Sequence, residues 1–164
     1  RLTVFFYFFS RYLTLRKLNL SCNDLKEFPI TICQCSALER LNISNNKIEK
    51  LPKKILQLSN LTELNLRMNK ITVIPPWIRR SKILKVLNLS YNELKELPIM
   101  MCQCPALEIL DVSNNWIEEL PLAFTIWKGI RELLIAQGRT NSRQLEIIDL
   151  TGNPVAYRET LGLM

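Results

Sequence analysis

The residues with the most evident chemistry are five cysteines. Cys33-Gln34-Cys35 and Cys102-Gln103-Cys104 form two C-Q-C triplets, and Cys22 stands apart. Thiols so spaced could pair as disulfides, ligate zinc or take part in redox exchange. Other catalytic routes have little to work with. The 164 residues include no histidine, which excludes Ser-His and Cys-His pairs, His-ligated zinc and a histidine pH switch within the chain. Four glycines leave little from which to build a glycine-rich phosphate loop. The expectation is a chain with no catalytic residues, metal site or cofactor of its own.

The thiols must be positioned by something, and composition narrows what that is. Apolar residues make up 48% and charged residues 23%, the balance of an ordinary soluble globular protein of about one domain. The longest apolar run, residues 4–9, is far too short to span a membrane and lacks the features of a signal peptide. A start at Arg1 rather than Met suggests a piece of something longer or a processed product. Cysteines in odd number, set inside apolar-periodic stretches, favour a reducing, cytoplasmic setting.

The positioning element is a repeat. Leu15, Leu18, Leu20, Asn23 and Leu25 recur as Leu38, Leu41, Ile43, Asn46 and Ile48. The series continues with units starting at Leu61, Leu84 and Leu107, each 23 residues after the last. Phe28-Pro29, Leu51-Pro52, Ile74-Pro75, Leu97-Pro98 and Leu120-Pro121 fall at one offset, followed three residues after the proline by Ile32, Ile55, Ile78, Met101 and Phe124. The first motif, L-x-x-L-x-L-x-x-N-x-L, is the leucine-rich-repeat signature. Its L-P-x-x-I half resembles the intracellular 23-residue class found in Ras-suppressor-like proteins, Scribble and Erbin, and plant Ras-group relatives.

The resemblance implies an α/β repeat solenoid, a horseshoe with a parallel sheet on its concave face and short helical or irregular segments on its convex face. Residues 15–129 read as five repeats and 1–14 as part of a preceding one, with Leu2, Phe5, Phe9 and Tyr12 in frame. Residues 130–164 read as irregular C-terminal repeats of the same single domain. There Ile130, Leu133 and Ile135 keep the step, Gly138 replaces the asparagine, and a last unit around Ile148 follows only 15 residues on. The total is about seven units. Within this frame the C-Q-C triplets lie three repeats apart, roughly 14 Å at about 4.8 Å per strand. That forbids a disulfide between triplets and a shared zinc. Cys35 and Cys104 take the core position of Leu58, with Cys33 and Cys102 on the convex edge; core filling is the favoured role. Trp127 falls on a core position.

Alternation along each strand fixes which residues face out. One concave column holds Lys17, Arg40, Glu63, Val86, Ile109 and Glu132, and the next Asn19, Asn42, Asn65, Asn88 and Asp111. A third holds Ser21, Ser44, Arg67, Ser90 and Ser113, beside Cys22, Asn45, Met68, Tyr91 and Asn114. Against this small polar background Lys17, Arg40, Arg67, Met68, Tyr91, Ile109 and the loop residue Trp116 are the candidate partner contacts, since Arg, Tyr and Trp dominate interface hot spots. The Asn23 column is assigned to turn structure. Charge runs as a gradient, +11 over residues 1–85 (16 basic, 5 acidic) and −4 over 86–164 (6 basic, 10 acidic), which sums to +7. A sign change along the surface disfavours nucleic acid.

These readings lead to a non-catalytic protein-interaction scaffold in intracellular signalling, and the resemblance adds small GTPases or their regulators as partners. The alternative is the repeat segment of a larger signalling enzyme, such as a Roco-type GTPase-kinase, a phosphatase or a cyclase, with catalysis outside this chain. A weaker third is contact between anionic lipid and the convex cluster Lys53, Lys54, Arg79, Arg80 and Lys82. The oligomeric state is left open.

Overall fold

The computed structural model describes residues 14–117 and the strand 147–149. Each L-x-L core forms a three-residue strand: β1 (Lys17–Asn19), β2 (Arg40–Asn42), β3 (Glu63–Asn65), β4 (Val86–Asn88), β5 (Ile109–Asp111) and β6 (Ile147–Asp149). They pair in parallel in chain order, forming one six-stranded sheet. From β1 to β5 the register is the 23-residue step, with Leu18, Leu41, Leu64, Leu87 and Leu110 side by side. This is the expected solenoid.

The proline half builds the opposite wall. Pro29, Pro52, Pro75 and Pro98 each precede a five-residue 3-10 helix, over Ile30–Gln34, Lys53–Gln57, Pro76–Arg80 and Ile99–Gln103. Their φ angles, −68° to −79°, are those the pyrrolidine ring imposes. Each proline carbonyl accepts the first turn's hydrogen bond, as from Ile32 N–H at 3.1 Å and Ile55 N–H at 3.1 Å. Short 3-10 turns bring the chain back to the sheet in few residues. Between the walls lies a continuous apolar core that includes Leu20, Phe28, Ile32, Leu41, Ile55, Leu64, Ile78, Leu87, Met101 and Leu110.

The asparagine column seals the loops. Asn69 Nδ2 donates to Leu66 O at 3.0 Å in its own unit and to Ile43 O at 3.1 Å in the unit before. Its Oδ1 accepts from the Ile48 N–H at 3.0 Å. Asn46, Asn92 and Asn115 repeat this pattern. Each buried amide therefore satisfies backbone groups of two consecutive units, and the column is structural as expected.

β5 pairs directly with β6, Leu110 opposite Ile148. Among the described residues the sheet has six strands. One expectation, the placement of Cys33, needs correction. Cys33, assigned to the convex edge, is buried at 2% exposure on a 3-10 turn that packs against the turn of the next unit, whereas Cys102 at the equivalent position is half-buried. Cys35 and Cys104 are core residues as expected. The expectations for residues 1–13, for Leu120-Pro121, Phe124 and Trp127, and for the unit holding Ile130, Glu132, Leu133, Ile135 and Gly138 lie outside the described residues.

Candidate partner-binding face

Local chemistry at the end of each strand shapes this face. The second concave column caps the strands: Asn19, Asn42, Asn65, Asn88 and Asp111 each accept, through the side-chain oxygen, the N–H two residues on, at 2.9–3.1 Å. Such Asx turns end the extended backbone. The residue before each buried asparagine then turns left-handed. Cys22, Asn45, Met68, Tyr91 and Asn114 all have φ between 52° and 57°. This conformation favours asparagine and disfavours the others. It tilts Met68 and Tyr91 out of the wall, and both are exposed.

The candidate residues fall into two groups. Lys17, Arg40, Glu63 and Val86 line a depression of about 470 Å³ on the strand face, floored by the Asn19 column. Arg40 Nε donates to Glu63 Oε1 at 3.0 Å, so two residues of one column neutralise each other. Lys17 carries an exposed charge at the N-terminal end. Ile109 stands beside Val86 in register, and both are half-buried.

The second group lies along the loop edge. Arg67 stacks over the Tyr91 ring, 4.0 Å from guanidinium carbon to ring centroid, and its Nη1 donates to Ser90 Oγ at 3.1 Å. That contact fixes two rotamer-rich side chains before any partner arrives. Arg67 is half-buried rather than fully exposed, because Tyr91 covers one face of the guanidinium. Met68 adjoins this pair, and Trp116 is the most exposed large hydrophobic among the described residues, at 66%. Ser90 and Ser113, expected to face out, are buried at 0% and 4%; their hydroxyls turn back onto Asn88 and Asp111 at 2.7 Å.

The thiols are set away from reactive environments. All five cysteines are free. Burial pushes the Cys33, Cys102 and Cys104 thiols up to about 11, and raises Cys35 as well. They are thus protonated near neutral pH, the inert state of a thiol. Exposed Cys22 accepts a hydrogen bond from Asn45 Nδ2 at 3.3 Å. Among the described residues no group of three His, Cys, Asp or Glu side chains could hold a metal ion.

Sequence reasoning passed over Ile30, Val73, Ile83 and Ile99, all exposed. Equivalent positions in the other units single out Ile83, which stands where Ala37, Asn60 and Ala106 stand. Among the described residues no helix is long and apolar enough to cross a membrane. On the convex side Lys53, Lys54, Arg79, Arg80 and Lys82 each keep solvent contact, and Arg79 donates to Gln103 Oε1 of the next unit at 3.2 Å.

The leucine-rich-repeat family model matches residues 13–71 and 59–117, most of the chain. The chain belongs to the leucine-rich-repeat family. No curated protein matches it. Among solved structures, a leucine-rich-repeat protein of Leptospira interrogans is similar at TM-score 0.69 and 28% identity, over 94% of this chain and 41% of its own. The leucine-rich-repeat ectodomain of the plant membrane receptor kinase GASSHO1/SCHENGEN3 from Arabidopsis thaliana is similar at TM-score 0.66 and 28% identity. That match covers 85% of this chain and 16% of the ectodomain, which was solved in complex with Casparian strip integrity factor 2. The chain therefore spans less than half the length of either protein. Repeats of this family generally mediate protein–protein interaction, and the repeats themselves are typically non-catalytic.

Proposed function

We propose that this chain is a single leucine-rich-repeat domain, of the 23-residue L-P-x-x-I class, that recognises another protein through its concave face and adjoining loop edge. The observation that carries this reading is the preformed Arg67–Tyr91 stack, flanked by exposed Met68 and Trp116. A rigid aromatic and a guanidinium already held in place lose little conformational entropy on binding. Lys17 and Arg40 in the strand-face depression, and the +11 charge of residues 1–85, favour an acidic segment of the partner at the N-terminal end. The cytoplasmic setting, and small GTPases or their regulators as partners, come from the class resemblance.

The test is affinity capture with the wild-type chain and with an Arg67→Ala/Tyr91→Ala/Trp116→Ala variant of unchanged melting temperature. Proteins retained by the wild type are expected to be lost by the variant, with affinity for an identified partner falling at least tenfold. Equal retention of every partner would place recognition elsewhere.

The receptor-kinase likeness favours one further reading, that these repeats are the recognition segment of a larger signalling enzyme whose catalytic domain lies outside the chain. The repeats would still be non-catalytic. Full-length transcript sequence separates the two readings.

A further inference from the structure

The internal repeats serve as controls for one another, and one unit departs at four consecutive positions. Where the other described units read Gln34-Cys35-Ser36-Ala37, Gln57-Leu58-Ser59-Asn60 and Gln103-Cys104-Pro105-Ala106, the third reads Arg80-Ser81-Lys82-Ile83. The 3-10 turn itself persists, while residues 82–83 after it form a bend where 36–37, 59–60 and 105–106 form turns. Ser81 N–H donates to Ile78 O at 2.9 Å, as Cys35, Leu58 and Cys104 donate at 3.0–3.1 Å in their own units. The side chain at this position differs as well. Cys35, Leu58 and Cys104 are buried core filler, whereas Ser81 is a small polar side chain that is only half-buried.

The missing volume remains open. A slot of about 270 Å³ lies at this point, walled by core residues that include Leu58, Leu61, Ile78 and Leu84. An apolar cavity of roughly 150 Å³ already suffices to hold benzene. Ile83 forms one lip and is 37% exposed, so apolar surface reaches solvent at the mouth. Arg80 and Lys82 also line the slot, and its lining contains no carboxylate. Among the described residues neither cation is in an ion pair. Glu39 lies in the adjoining depression and is engaged by Arg16 at 3.2 Å.

We propose that this slot is a binding site for a fatty-acyl carboxylate, its alkyl chain in the space left by Ser81 and its head on Arg80 and Lys82. Apolar walls supply the free energy for the chain, and two cations beside a low-dielectric mouth favour an anionic head. The site shares only Leu64 with the strand-face depression, so it stands or falls independently of the protein-recognition reading.

The test is calorimetric titration of the full chain with decanoate below its micellar concentration, with 1-decanol and acetate as comparison probes. Decanoate is expected to bind and acetate not to bind. Ser81→Leu, which restores the filler of the second unit, should weaken decanoate at least tenfold while raising the melting temperature. Arg80→Gln with Lys82→Ser, the residues of the first two described units, should weaken decanoate at least tenfold and leave 1-decanol unchanged. The proposal is overturned if wild type does not bind decanoate, or if Ser81→Leu binds it as wild type does. Loss of both cations without effect on decanoate overturns it equally.

Discussion

Asn46, Asn69, Asn92 and Asn115 are polar side chains buried inside an apolar solenoid, and their burial is tolerated because both amide atoms of each have partners. Asn69 is the clearest case, tying Ile43 O, Leu66 O and Ile48 N–H across two units. Asn69→Ala leaves several buried backbone groups unpaired, each costing roughly 1–3 kcal/mol. The expected loss is about 3 kcal/mol, read as a shifted denaturation midpoint at unchanged slope. The role of this column was legible in the sequence, since an amide recurring at one offset after every strand is placed to satisfy the backbone of the turn there. The left-handed residue just before it was not legible. Cys22, Met68 and Tyr91 are not types that announce a positive φ, and only the repeat geometry imposes it. The half-burial of Arg67 was hidden for a related reason: stacking on Tyr91 depends on where two neighbouring loops place their side chains.

At the level of elements, strands and turns were readable because apolar positions recur at one step and a proline marks each 3-10 turn. The burial of Cys33 was not, because it depends on how its turn packs against that of the next unit rather than on its place in the repeat: Cys102, at the same offset, is only half-buried. Buried thiols on these turns have a consequence at high pH. With thiol pKa values near 11 in the folded state, Cys33 and Cys104 hold protons that the unfolded chain releases from about pH 9. Their contribution to stability is present below pH 9 and is lost as pH rises towards 11, at up to roughly 1.4 kcal/mol per pH unit per thiol. Cys33→Ala with Cys104→Ala should flatten the decline in stability between pH 9 and 11 relative to wild type, measured by urea denaturation. An unchanged decline would assign it to other groups. The β5–β6 pairing was also beyond the sequence, because the step from Leu110 to Ile148 departs from the 23-residue register that fixes the other strands.

Across the whole molecule, the repeat converts a list of side chains into two surfaces with different character. Ion pairs Arg16–Glu39, Arg40–Glu63 and Lys85–Glu108 bridge neighbouring units in the same direction, and their solvent exposure makes them weak contributors to stability. Their effect is on the field: they cancel charge locally and leave other cations of the N-terminal half, Lys17 and the convex cluster among them, to set its potential. The concave side and its loop edge carry the preformed stack and exposed Met68 and Trp116, while the convex side carries the cationic cluster and the Ser81 slot. The central claim, recognition of a protein along the concave edge, is tested most directly by photo-crosslinking. A photoactivatable side chain is placed at position 68 or 116, and at position 54 on the convex side for comparison. Crosslinks to a common partner from 68 and 116, and none from 54, are predicted; crosslinks to that partner from 54 alone would contradict the account.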